Sequence, residues 1–293
     1  HESDYGAKNL SDKIDNWATS PLLAANYGWN DPPPGAVNAD GRSLRDVVPP
    51  FMIYDVKGVR IAVIGMGNTS TITSIYEGGN KLGSRPISDE QALERWVRIL
   101  RPVVDLVVVV SHLGLDEDED LTAAQVNDPN QEFSQSTLAG VDLILGGHLH
   151  IVTDPPKLIP NDDQGHNTVL VHSGAFAKFV GRLDLVVRIG SNNADPANRS
   201  RITSFNFDNI PIDSKLCGGV PCIPEDPDIA NLMWPYSVKV NTEIDLNGVF
   251  AFNVMPLLAG TVFTALIAMV AGWAASFRIL NQKPLEVLRQ SGL

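Results

Sequence analysis

Leu106-Val107-Val108-Val109-Val110-Ser111-His112-Leu113-Gly114 and, further along, Val141-Asp142-Leu143-Ile144-Leu145-Gly146-Gly147-His148-Leu149-His150 share one design. Each is a short apolar run closed by histidine. Runs of this length, rich in branched side chains and flanked by turn residues, read as strands buried on both faces of a parallel sheet. A histidine just past the end of such a strand stands at the carboxyl edge of the sheet, where open α/β folds place their ligands. His112, His148 and His150 are therefore expected to converge, and imidazole is a common ligand of divalent transition metals.

Working outward, residues 59–65, 168–171 and 183–189 read as further strands. Ser88 caps a predicted helix over 89–100, with Gln91 three residues on; Leu93, Trp96, Val97 and Leu100 recur at helical spacing until Pro102 ends the pattern. A second helix is expected over 132–139. Strands alternating with helices predict a layered α/β domain. The proline-rich stretch 30–40 and the stretch 191–199 read as surface loops.

The chain has 293 residues and a formal net charge of -12. That balance argues against a nucleic-acid polymer as partner, because a polyanion binder must supply clustered Lys and Arg. A phosphorylated small substrate would then need a metal or a local basic pocket. Cys217 and Cys222, the only two cysteines, flank Gly218-Gly219-Val220-Pro221 and are either a small disulfide or two free thiols.

The chain opens His1-Glu2-Ser3-Asp4-Tyr5-Gly6. With Ser111-His112-Leu113-Gly114 and Gly146-Gly147-His148-Leu149-His150 following in that order, residues 1–252 resemble the calcineurin-like metallophosphoesterases, and within them the 5'-nucleotidase or UDP-sugar hydrolase branch. The resemblance implies a layered α/β/β/α metallophosphoesterase sandwich, incomplete at the N-terminus. It implies two divalent metal ions (Mn, Zn, Fe, Mg or Ca), with His112 and His148 on one and His150 on the other. His1 is not implied as a ligand; it would face the phosphate, oriented by Asp4. The family's Asp-x-His pair, its bridging aspartate and the asparagine before His1 would come from a segment ahead of this chain, so the chain as given is expected to bind one ion weakly and turn over little. The segment 171–185 resembles the family's stretch after the metal loop, with His172 where glutamine is common; it either packs or supports the metal ligands from behind. Asp116-Glu117-Asp118-Glu119-Asp120 is either a solvated acidic loop or a secondary cation site. Gly65-Met66-Gly67-Asn68 is a bare Gly-x-Gly without the rest of a dinucleotide fingerprint.

No charged residue occurs from 246 to 277, whereas Arg278, Lys283 and Arg289 follow. This predicts a membrane helix over 246–278, against the alternative of a buried core helix. A cytoplasmic basic tail over 279–293 would follow, and a catalytic domain over 1–245 would stand on the periplasmic or extracellular side. The tail resembles the last helix of an FtsX-like ABC transporter permease. The expected function is metal-dependent hydrolysis of phosphate esters or anhydrides, with nucleotides as substrates by resemblance alone. Its rivals are a catalytically inactive membrane-anchored binding module and a permease-associated transporter component.

Overall fold

The valine-rich run becomes an interior strand of a six-stranded sheet. A computed structural model of the chain describes residues 6–30, 36–69, 83–121, 139–160, 165–212, 217–218 and 223–243, and these fall in two units, His1–Ile223 and Pro224–Leu293. In the first unit the sheet is ordered β2 (Phe51–Val56), β3 (Val59–Met66), β5 (Leu106–Ser111), β6 (Leu143–Gly146), β8 (Asn167–His172) and β7 (Lys157–Pro160). β3, β5, β6 and β8 run parallel; β2 and β7 close the two edges antiparallel.

Both faces of the sheet are covered, which is why the sequence reads as continuous apolar runs and not as alternation. Ile64, Val109, Ile144 and Leu170 lie in register across four strands and belong to one core with α3 (Asp89–Leu100). Val63, Val108, Leu143 and Val169 form the corresponding row on the other face. They pack against Leu183 and Leu185 of β9 (Phe179–Arg188) and Phe205 and Phe207 of β10 (Arg201–Pro211). These two long strands form an antiparallel sheet of their own, with a register shift between Ile202 and Ser204. Helix, sheet and second sheet are thus three of the four expected layers.

α3 forms as its sequence predicts. The Ser88 hydroxyl accepts from the Gln91 amide at 3.3 Å, Leu93, Val97 and Leu100 are buried, and Trp96 packs on Phe51 with ring centroids 4.9 Å apart. Pro102 falls in a single 3-10 turn that ends the helix. The stretch 191–199 is a loop held by its own Asn192 and Asp195 side chains. The strand expected over 183–189 is the second half of a longer β9. The helix expected over 132–139 lies outside the described residues except for Ala139, which is in a turn.

Several elements carry weaker signals. α1 (Gly6–Trp17) and α2 (Leu44–Val47) share a small satellite core of Ala7, Ala24, Leu44 and Val47, next to Tyr27 and Trp29. β1 (Tyr27–Trp29) pairs with β4 (Ser84–Pro86). The acidic run forms the short helix α4 (Leu115–Asp120) and is not a solvated loop, because its middle carboxylate, Asp118, is fully buried.

In the second unit, α5 (Pro227–Glu243) starts at Asp226, whose carboxylate accepts from the amides of Asp228 at 2.9 Å and Ile229 at 3.2 Å. The expected membrane span over 246–278 and the tail over 279–293 lie outside the described residues. Among the described residues, no helix is long and apolar enough to cross a membrane. Cys217 is disulfide-bonded. Cys222, the other cysteine of the chain, lies outside the described residues.

Candidate functional site

The carboxyl ends of β5, β6 and β8 fall side by side, at Ser111, Gly146 and His172. Immediately beyond β5, the His112 amide donates to the Met66 carbonyl at the end of β3 at 2.8 Å, so the chain stays tied to the sheet edge as it turns away. The His112 ring is exposed and meets the half-buried His148 ring edge-on, with centroids 5.2 Å apart and planes at 62°. Two of the sequence-predicted ligands are thereby brought together.

The Gly-Gly-His-Leu-His turn holds them there at a backbone cost. His148 has φ +78° and His150 φ +58°, both in the left-handed region that side chains other than glycine avoid. Each such residue costs about 1–3 kcal/mol and persists where surrounding structure over-determines it, a pattern that clusters at functional sites. The Leu149 amide donates to the Gly147 carbonyl at 3.1 Å, closing the turn between them. Gly147 lies close beneath the His112 ring, where a Cβ would stand 3.2 Å from Nδ1. Phe176 (φ +58°) and Ala177 (φ +50°), in the loop after β8, repeat the left-handed pattern across from it.

His150 is engaged differently. Its ring lies against Phe176, with centroids 4.8 Å apart, and Phe176 is itself 78% exposed. Among the described residues no three His, Cys, Asp or Glu side chains group closely enough to hold an ion. The His112 ring thus meets that of His148, and the His150 ring meets that of Phe176. His1 and Asp4 lie outside the described residues.

Behind the pair sits a polar cluster. His172 is 1% exposed, and its Nε2 is 3.0 Å from Asp118 Oδ2. Asp118 Oδ1 accepts from the Ser111 hydroxyl, which in turn accepts from the Leu113 amide at 3.1 Å. His172 was accessible through the resemblance of 171–185 to the family's stretch after the metal loop; Asp118 was not, inside a run of five carboxylates. Its one signal is the i, i+3 spacing of Leu115, Asp118 and Leu121, which puts the acid on the inward face of a short helix.

At the same edge, burial pushes the Asp89 carboxyl above its ordinary range, with Glu90 and Glu117 adding to the effect, against a hydrogen bond from the Asn26 amide at 2.7 Å. Asn26 also donates to the Gly67 carbonyl and accepts from its amide, which accounts for the Gly65-Met66-Gly67-Asn68 stretch as structure. An exposed and a half-buried imidazole thus stand at an edge that also carries the buried Asp118 and the half-buried Asp89.

The family model for the bacterial capsule synthesis protein PGA_cap matches residues 40–158. Over 267 residues the chain is 27% identical to the 5'-nucleotidase of Vibrio cholerae, covering 84% of this chain and 44% of that protein. The 5'-nucleotidase precursor from Thermus thermophilus superposes with a TM-score of 0.60 at 21% identity, over 82% of this chain and 42% of that one. The calcineurin-like phosphoesterase YfkN from Bacillus subtilis gives a TM-score of 0.52 at 16% identity, over 82% of this chain and 68% of that one. The chain has the fold of these phosphoesterases. It spans less than half the length of the curated relatives it matches.

Proposed function

We propose that this chain carries the catalytic-domain core of a metal-dependent phosphoester hydrolase acting on nucleotides. The observation that supports it most is the His112 and His148 pair, set 5.2 Å apart by a left-handed turn at the carboxyl edge of the sheet. The 5'-nucleotidases among its relatives supply the substrate class. The described residues fit one side of a metal centre: two imidazole donors, suited to Mn, Fe or Zn. His112 and His148 would hold an ion there, and His150 a second. Such ions supply Lewis acidity toward the oxygens of the transferred phosphoryl group. His1, oriented by Asp4, would present a proton to the departing oxygen, a role worth about 10²- to 10⁴-fold in rate. The apolar stretch 246–278 would tether the domain to a membrane, with the domain on its periplasmic or extracellular side.

The experiment is Mn²⁺-dependent release of phosphate from 5'-AMP and p-nitrophenyl phosphate by the purified protein. Release that is lost in His112→Ala and His148→Ala supports the reading; release indifferent to chelation refutes it. The absence of a three-residue ligand group among the described residues favours a second reading, an inactive nucleotide-binding module. It predicts AMP binding without turnover.

A further inference from the structure

Resting on the reading of His112 and His148 as the residues that hold an ion, we propose that Ser111, Asp118 and His172 form a buried positioning unit. This unit would fix the placement of both imidazoles. None of the three is a catalytic residue; each acts through the backbone of its neighbours.

The three come from different elements. Ser111 is the last residue of β5, Asp118 lies on α4 and His172 is the last residue of β8. The Ser111 hydroxyl donates to Asp118 Oδ1 and accepts from the Leu113 amide, so residue 112 is held from its C-terminal side. The bond from the His112 amide to the Met66 carbonyl holds it from the other. Asp118 Oδ2 accepts from His172 Nε2 at 3.0 Å, a tautomer assigned because a carboxylate can only accept. The backbone of His172 is itself clamped, its amide donating to Thr153 Oγ1 at 2.8 Å.

This pair also supports the second imidazole. Gly146 is in register with His172, and a Cβ on it would overlap both His172 Nε2 and Asp118 Oδ2. The end of β6 therefore rests directly on the pair, and His148 follows two residues later. A shift of Asp118 or His172 moves both strand ends at once.

The chemistry argues against plain packing. Asp118 is 0% and His172 1% exposed, and a carboxylate is withdrawn from water only where specific hydrogen bonds repay its desolvation. Among the described residues His172 Nδ1 makes no hydrogen bond, so an apolar ring would fill the space equally well. What the imidazole adds is the bond to Asp118. Carboxylates and their partners that stand behind metal ligands fix ligand orientation in this way.

Two measurements on the full chain test this: the ¹⁵N-histidine ring resonances of the metal-free protein, assigned with His112→Ala and His148→Ala, and titration with Zn²⁺ alone. Asp118→Asn and His172→Ala are expected to shift the His112 and His148 ring signals and weaken Zn²⁺ binding about 10- to 100-fold. His172→Gln, whose amide N–H can still donate to Asp118, should restore most of the affinity, whereas His172→Leu, which refills the space without that bond, should not. Unchanged ring signals and Zn²⁺ affinity in a folded Asp118→Asn protein would overturn the proposal. Should Asp118→Asn and His172→Ala fail to fold, Ser111→Ala decides, since it deletes a single hydroxyl and with it the bonds to Asp118 and from the Leu113 amide. If His112→Ala leaves Zn²⁺ binding untouched, the metal reading fails, while the ring signals still decide whether the unit positions the imidazoles.

Discussion

A methyl group at position 146 has nowhere to go. It would meet the imidazole of His172 and the carboxylate of Asp118 from above, and neither side chain can retreat, since both are buried and bonded to each other. Gly146→Ala is therefore expected to destabilise the protein by about 1–3 kcal/mol, the usual cost of overpacking a filled core. Urea denaturation measures it. The same substitution in a His172→Ala background should cost less, because the obstructing ring has been removed; a strictly additive double-mutant cycle would show that the two sites are not in contact. The left-handed histidines at 148 and 150 put their constraint in the same few residues, so this turn combines backbone tension with a rigid floor.

Among the elements, α3 and the four parallel strands were legible in the sequence because two independent signals agreed in each. In α3 a serine cap, a helical stripe and a terminating proline all point to the same twelve residues. Ser88→Ala should cost about 1 kcal/mol through the lost cap, and Leu93→Ala about 2–5 kcal/mol, because Leu93 is wholly buried between helix and sheet. Thermal melts of the two variants should keep that order. His112 and His148 were legible for the same reason as the strands: a histidine directly after a buried run has few other places to be. Asp118 was not, because charge dominates the reading of an Asp-Glu-Asp-Glu-Asp run and only tertiary packing reveals that one of the five carboxylates turns inward. β2 and β7 were missed as antiparallel edge strands, β2 with mixed and largely exposed side chains that lack the continuous apolar signature of the interior. The contact of His150 with Phe176 was illegible as well, since one residue of spacing cannot say which way a strained turn will aim each ring.

Across the first unit, polar groups are divided between the two edges of the sheet. The carboxyl edge holds the exposed imidazoles. The amino edge holds a closed network in which Arg101 donates to the Gly140 carbonyl at 3.1 Å, to the Asp142 carboxylate and to the Asp105 carbonyl, and Asp142 accepts from the Val107 amide at 2.7 Å. Arg101 and Asp142 are each about 7% exposed, so Arg101→Met strands a buried carboxylate and should cost about 3–5 kcal/mol. Zn²⁺ affinity at the opposite edge should not follow it. Asp105 gives this network a pH signature. Burial works to raise its carboxyl, but hydrogen bonds from the Arg60 amide, Asn193 and Ser200 outweigh that and hold it below its ordinary value of 3.8. A carboxyl depressed on folding contributes stability that is complete above its unfolded pKa and is lost as pH falls through the folded one. Asp142, raised by burial against the pull of Arg101, contributes with the opposite sign. Comparing wild type with Asp105→Asn isolates the first effect: the two urea midpoints should differ by a constant amount at neutral pH and converge as the pH drops below 3.8. A gap that persists undiminished at the acid end would mean that the Asp105 charge is not what ties the amino edge together.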